Sequence, residues 1–114
     1  MSDGSACFVF ADTIERESLE PGIERQILGT QESLMMVKVW FEDGAVGTLH
    51  RHPHAQICYV ESGEFDVTVE GQTKRLAPGD CYNVTSDLEH GVRCLKAGAL
   101  IDVFSPMRAD FLEQ

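Results

Sequence analysis

Three of the chain's four histidines lie in one short segment, HRHPHAQ, at positions 50–56. Successive side chains of an extended strand point to opposite faces, so His50 and His52 share a face, and His54 has the same parity. The proline in the segment keeps His52 extended or turning, and Gln56 can return to the same face after that bend. Imidazole nitrogens and an amide oxygen are ligands for a divalent transition metal. The segment therefore predicts a metal site.

The fourth histidine, His90, begins a separate β-like run that follows the turn-like sequence TSDLE. A barrel that places this run beside the first segment would bring together three imidazoles and one amide oxygen. Imidazole suits zinc, copper, iron and nickel, so the ligand types alone do not select the metal. The alternative is a set of solvated loop histidines, and the clustering of three histidines and a glutamine within a β pattern argues against it.

Short β-strands are the elements that must position these residues. Runs rich in β-branched and aromatic residues are separated by turn signals every 8–12 residues or so, which is typical of a sandwich or barrel. The predicted strands are 22–28, 34–41, 54–60, 65–69, KRL after the hairpin turn EGQ, CYNV after the turn APGD, 91–95 and 99–104. Helical character is predicted only at 11–20 and for one short turn within 107–114. We expect an all-β single domain in which an antiparallel double sheet forms a jelly roll.

The composition restricts the class of protein and its partners. A chain of 114 residues fits one domain with a core of its own. Nine lysine and arginine residues against nineteen aspartate and glutamate residues give a net charge of -10, so we expect no binding to nucleic acid or to an anionic membrane. The amino-terminal sequence has neither a basic leader nor an apolar span, so we expect a soluble cytoplasmic protein.

The four cysteines are Cys7, Cys58, Cys81 and Cys94, and none of them forms a C-x-x-C pair. Without a secretory context, they do not indicate a disulfide framework. We expect buried free thiols.

The histidine segment resembles the first motif of the cupin superfamily, G-x5-H-x-H-x3,4-E-x6-G. Gly44, His50, His52, Gln56 and Gly63 keep its spacing, with glutamine in place of glutamate. The resemblance implies a cupin domain over residues 23–114, a double-stranded β-helix or jelly-roll barrel. It also implies that the two histidines of the motif and the glutamine are metal ligands. The third histidine of the segment is then a neighbour.

The second cupin motif, G-x5-P-x-G-x2-H-x3-N, is matched more weakly. Gly79, Thr85, Asp87, His90 and Cys94 keep the spacing, but only the glycine and the histidine keep the residue type. The resemblance implies that His90 is the remaining metal ligand. The departures concern the turn that precedes this histidine.

Two longer stretches, LMMVKVWFEDGAVGTLHRHPHAQICYVESGEF and ALIDVFSPMRADFL, resemble the KdgF family of small single-domain cupins. In that family the aspartate, phenylalanine and arginine of the tail line the substrate site, and they fall here on Asp102, Phe104 and Arg108. The resemblance implies a metal-dependent enzyme of uronate catabolism. Such an enzyme converts the cyclic 4,5-unsaturated monouronate from pectin or alginate breakdown to its linear keto form.

The residue types suit that chemistry. Arg108 can bind a carboxylate through two hydrogen bonds, Asp102 is the candidate general acid and base, and Phe104 would wall the pocket. A shell of three histidines and a neutral glutamine leaves the full charge of a divalent ion, which attracts an anionic sugar acid. Nickel, zinc, iron and manganese all suit such a shell. Without the resemblance, these three tail residues would be read as a structural acid, a core aromatic and a surface charge.

Two alternatives stay open from the sequence. One is a cupin that binds a sugar acid or a metal without turnover, and the other is another cupin enzyme, such as a dioxygenase or a sugar isomerase. Analogy with small cupins predicts a homodimer. Residues 1–22 are expected to contribute a strand or a short helical segment to the domain or the dimer.

Overall fold

The computed structural model describes residues 7–112, which fold into two antiparallel sheets. Within that range the strands are β1 (Glu17–Ser18), β2 (Ile23–Gln31), β3 (Leu34–Phe41), β4 (Val46–His50), β5 (Ala55–Val60), β6 (Glu64–Val69), β7 (Gln72–Leu76), β8 (Cys81–Val84), β9 (His90–Lys96) and β10 (Gly98–Ser105). A 3-10 turn at Ala11–Thr13 precedes them, and one short helix, α1 (Ala109–Leu112), follows.

The larger sheet has the strand order β1-β2-β3-β10-β5-β8, and the smaller one has the order β4-β9-β6-β7. Burial alternates residue by residue along β3 and β5, as expected for strands with one face toward a core. The all-β single-domain jelly roll predicted from the sequence is confirmed.

The core lies between the two sheets, and each sheet contributes apolar side chains to it. Phe41 of β3 meets Phe65 of β6 edge to face, with ring centroids 5.3 Å apart. The shared core fixes the spacing of the two sheets, and this spacing determines which side chains can meet at the end of the barrel.

Two tight turns contain residues with positive φ values, which restrict the residue types that can occupy them. The predicted hairpin at EGQ joins β6 to β7 through Glu70 and Gly71, which have φ values of 47° and 81°, as a two-residue hairpin turn requires. Gly63 has a φ of 82°, and a Cβ atom at this position would collide with the backbone of Lys96, Ala97 and Gly98. Only glycine satisfies both constraints at Gly63.

The helical prediction for 11–20 is wrong beyond its first turn. Residues Ala11–Thr13 form a 3-10 turn, but Glu17 and Ser18 pair with β2 as a short strand. The buried amide of Gln26 donates hydrogen bonds to the carbonyl oxygens of Ala11 and Ile14, at 2.6 and 2.7 Å. A continuous helix would need the Ala11 carbonyl oxygen for its own ladder, so this contact with β2 favours the extended path.

Two further predictions can be compared with the structure. The short helical turn near the carboxyl end is confirmed as α1, whereas residues 1–6, 113 and 114 lie outside the described range. All four cysteines are free, but only Cys58 and Cys94 are buried, so the expectation is wrong for Cys7 and Cys81. No helix within residues 7–112 is long and apolar enough to cross a membrane.

Candidate functional site

Three histidines converge at one end of the barrel. His50 is the last residue of β4 and His90 is the first of β9, and the two are register partners in the smaller sheet. His52 lies beyond the end of β4, in the connection to β5, so the prediction that one strand carries both histidines of the pair is wrong. The register of β4 shifts between Gly47 and His50, and the chain then bends. The bend, rather than strand parity, brings His52 to the others.

The geometry of the three imidazoles suits one metal ion. One potential ligand atom from each of His50, His52 and His90 lies within 4.8 Å of the others. The Nδ1 atom of each ring lies 2.8 or 2.9 Å from a backbone carbonyl oxygen two residues away. A carbonyl oxygen only accepts, so Nδ1 carries the proton, and in a neutral imidazole Nε2 then presents a lone pair. Such carbonyl contacts fix the tautomer of metal-binding histidines.

Gln56, on β5 of the larger sheet, completes this group. Its Oε1 atom lies 2.9 Å from Nε2 of His52 and 3.2 Å from Nε2 of His90. With both Nε2 atoms unprotonated, these three atoms are all acceptors, and a cation between them would satisfy all three at once. The three histidines can hold a metal ion, as predicted, and the donor types do not identify which metal. The part of Gln56 as a fourth ligand stays a prediction.

Burial keeps these rings in the form that binds metal. It lowers the pKa of His52, and it lowers the pKa of His90 to about 4. At neutral pH both rings are therefore uncharged. His54 is not part of the three-histidine group, and its ring centroid lies 5.7 Å from that of His52.

The turn that precedes His90 includes one residue with a left-handed backbone conformation. Asp87 stands where that motif has glycine, and its φ of 65° lies in the left-handed region. Aspartate tolerates this region better than most residues. The backbone N–H of Asp87 also donates to the carbonyl oxygen of His52, at 2.8 Å, which ties the two ligand-bearing segments together.

A cavity of about 310 Å³ opens beside the histidine group. Asp102, Phe104 and Arg108 all line it, together with the ring of His50 and the amide of Gln56. The three residues of the tail that were predicted from the family resemblance thus share this cavity with three of the four predicted metal ligands, His50, Gln56 and His90. Their individual roles stay predictions.

Asp102 and Phe104 are two residues apart on β10 and face the same side, as predicted. The side-chain amide of Gln56 donates to Oδ1 of Asp102, at 2.9 Å, so one glutamine contacts both the histidines and the carboxyl group. Burial raises the pKa of Asp102. The Phe104 ring lies 5.7 Å from that of His52, centroid to centroid, and forms a wall between the histidine group and Arg108.

The carboxyl-terminal tail brings Arg108 to the mouth of the cavity. Its guanidinium carbon lies 5.1 Å from the ring centroid of Phe104 and 4.2 Å from that of Phe111 in α1. Arg25 of β2 lies 4.0 Å from the Phe111 centroid, so two guanidinium groups contact this ring. Two guanidinium groups therefore border the cavity, and each is paired with a carboxylate, Arg25 with Glu17 and Arg108 with Asp110.

Sequence reasoning missed Arg25 and Phe111, both of which line the cavity. The sequence did contain an indication for Arg25. It lies two residues after Ile23 on β2, so the two side chains face the same side of the sheet, and Ile23 belongs to the core. Phe111 had no such signal, since a single helical turn of four residues shows no periodicity.

Comparisons with known proteins agree with this arrangement. Residues 37–104 match the Cupin domain family. The chain is 49% identical over 98 residues to the pectin degradation protein KdgF of Dickeya dadantii (strain 3937), across 84% of this chain and 89% of that protein.

Two solved structures are similar along nearly their whole length. KdgF from Halomonas sp. superposes with a TM-score of 0.89 at 40% identity, covering 94% of this chain and 99% of that one. An RmlC-like cupin from Shewanella frigidimarina NCIMB 400 has a TM-score of 0.88 at 44% identity, covering 96% of each chain. The family resemblance inferred from the motifs is confirmed: this chain belongs to the cupin family and, within it, to the family of KdgF.

Proposed function

We propose that this chain is a metal-dependent enzyme of pectin or alginate breakdown that converts a cyclic 4,5-unsaturated monouronate to its linear keto form. The relationship to KdgF, which is named as a pectin degradation protein, supports this proposal. The observation that carries it is the cavity itself. One small space presents a group that can hold a metal ion, the carboxyl group of Asp102 and the guanidinium group of Arg108.

The reaction is an isomerisation that needs no oxidant. The bond between the anomeric carbon and the ring oxygen breaks, and the anomeric hydroxyl group loses its proton as an aldehyde forms. The freed ring oxygen becomes the ketone oxygen, and the other carbon of the double bond gains a proton. One proton leaves oxygen and one proton reaches carbon, so a single carboxyl group can serve both steps.

A divalent metal held by His50, His52, Gln56 and His90 would polarise a sugar oxygen. The neutral glutamine leaves the full charge of that ion, which favours an anionic sugar over a neutral one. This donor set also lacks the carboxylate of the common two-histidine, one-carboxylate oxygenase site, which disfavours dioxygenase chemistry.

The remaining groups would orient the substrate and move its protons. Asp102 gives a proton to the enol carbon and accepts one from the anomeric hydroxyl group. Burial raises the pKa of Asp102, so its carboxyl group keeps a proton to higher pH than an exposed aspartate does, which suits a proton donor. Arg108 binds the substrate carboxylate, and the Phe104 ring fixes the plane of the sugar against the cavity wall.

The test is direct. The protein is loaded with a divalent metal, 4,5-unsaturated galacturonate is added, and loss of the enol absorbance is followed. We expect acceleration over buffer, a low kcat with retained binding for Asp102→Ala, and a raised KM for Arg108→Ala. Arg75→Ala is the matched control, because Arg75 is an exposed arginine of the opposite sheet, paired with Asp66 at 3.4 Å.

Each alternative gives its own result. Binding of the uronate without turnover would indicate a binding-only cupin, and uptake of dioxygen would indicate an oxygenase. Parent rates for both Asp102→Ala and Arg108→Ala would refute the assignment of roles. The homodimer, the cytoplasmic location and the division at residue 22 stay predictions.

A further inference from the structure

Arg108 is held by the neighbouring carboxylate of Asp110. Its Nε atom donates to Oδ1 at 3.0 Å and its Nη2 atom donates to Oδ2 at 2.8 Å. Two parallel bonds of this kind fix the plane of a guanidinium group as well as its position. The two side chains differ in environment, since that of Arg108 is 12% exposed and that of Asp110 is 52% exposed.

This contact uses only one edge of the guanidinium group. The edge formed by Nε and Nη2 faces Asp110, and within residues 7–112 the Nη1 atom makes no hydrogen bond to the protein. The planar group also lies against the rings of Phe104 and Phe111, at 5.1 and 4.2 Å from their centroids. With one edge and both neighbouring rings fixed, the free edge formed by Nη1 and Nη2 has a defined direction beside the cavity that Arg108 lines.

We propose that Asp110 is a positioning residue for substrate binding, which holds Arg108 so that its free edge receives the carboxylate of the sugar acid. The identity of that anion rests on the function proposed above. Asp110 lies next to Phe111 in α1, so this one helical turn supplies both the hydrogen-bonding partner and a stacking partner of Arg108.

The direction in which removal of Asp110 changes the affinity for the anion separates the positioning role from two other roles. If Asp110 acted only through its charge, its removal would strengthen binding of an anion, because a repulsive carboxylate would be gone. If it competed with the substrate for Arg108, its removal would also strengthen binding. Only the positioning role predicts weaker binding when the negative charge is removed.

The experiment measures kcat and KM on the metal-loaded protein for Asp110→Ala and Asp110→Asn. We expect KM to rise roughly 5- to 20-fold for Asp110→Ala, the scale of a lost charged hydrogen-bond pair, with kcat within about twofold of the parent. Asp110→Asn retains one acceptor oxygen and should fall between. The matched control is Asp66→Ala, which removes a carboxylate from an exposed arginine pair far from the cavity and should leave both constants unchanged.

A double-mutant cycle shows whether Asp110 acts through Arg108. In an Arg108→Ala background, Asp110→Ala should cause no further rise in KM, since the group it positions is already gone. An unchanged or lowered KM for Asp110→Ala, or an equal additional loss in the Arg108→Ala background, would overturn the proposal.

Binding measured by calorimetry distinguishes failure of this inference from failure of the proposed function. If the parent binds 4,5-unsaturated galacturonate but does not turn it over, the proposed enzymatic activity is refuted. The role of Asp110 is still tested, because the dissociation constant should rise for Asp110→Ala as KM would. A parent that neither binds nor turns over the sugar acid would refute both.

Discussion

Acidification should destabilise the metal-free protein through His90 before most carboxylates titrate. In the folded chain the pKa of His90 is about 4, because burial disfavours the imidazolium form, against an ordinary value of 6.5. Between these pH values the unfolded chain binds a proton that the folded chain does not. The stabilising contribution is therefore complete above pH 6.5 and is lost as the pH falls toward 4.

The size of the effect follows from that difference in pKa. One pKa unit corresponds to about 1.4 kcal/mol, so the full difference corresponds to roughly 3 kcal/mol. The ring is 1% exposed but lies beside an open cavity, where water reduces the penalty, so we expect about 2–3 kcal/mol. A loss of this size is a large part of the stability of a small domain.

The assay is urea unfolding of the metal-free protein between pH 7.5 and 4.5, compared with His90→Gln. Asp102 works in the opposite direction, since its raised pKa makes the folded chain bind a proton more readily as the pH falls. The useful quantity is therefore the difference in slope between parent and variant. The variant should lose about 2–3 kcal/mol less stability than the parent over this range. If the free energy of unfolding fell equally with pH in the parent and in His90→Gln, the reasoning would be refuted, whatever the absolute stability of each protein.

Three further predictions concern single positions. Gln56→Glu should tighten metal binding, measured by competition with a chromogenic chelator, and an unchanged metal affinity would contradict this. The same change should move the alkaline limb of the pH–activity profile to higher pH, because a second carboxylate would face Asp102 and raise the pKa of this proton donor. Asp87→Gly should keep the stability of the parent in urea unfolding, whereas Asp87→Val should cost about 1–2 kcal/mol, because position 87 has a left-handed φ. Equal losses of stability in the two variants would show that φ does not matter there. Gly63→Ala should cost about 2 kcal/mol or more by the same measurement, because its Cβ atom would meet backbone on three sides, and a loss below about 0.5 kcal/mol would refute the packing argument.

The strands were predictable because their signal is local. The runs around β3 and β5 combine β-branched residues with an alternation that the structure reproduces as alternating burial. The amino-terminal segment was not predictable in the same way. Its path depends on hydrogen bonds from Gln26, which lies 15 residues beyond Ala11, and local propensity contains no information about that partner.

The candidate site also contains some residues that the sequence predicted and others that it could not predict. Strand parity failed for His52, because the chain bends after His50, whereas the spacing of the family motif placed it correctly with His50 and His90. A motif spacing includes the bends that a parity rule omits. Arg108 was found only through the family resemblance. The contact between Arg108 and Asp110 had no sequence signal, since charged pairs two residues apart are common in surface segments.

The glutamine at position 56 joins the two halves of the site, and its chemistry explains why it suits this cavity better than the glutamate of the family motif. Its carbonyl oxygen faces the imidazole lone pairs, while its amide nitrogen donates to Asp102. A glutamate could supply the first contact but not the second, and its charge would repel both Asp102 and an anionic ligand. In a chain with a net charge of -10, a neutral side chain that accepts on one side and donates on the other adds no negative charge that would repel the sugar acid proposed as substrate. The same amide holds the carboxyl group of Asp102 in place beside the predicted metal ligands.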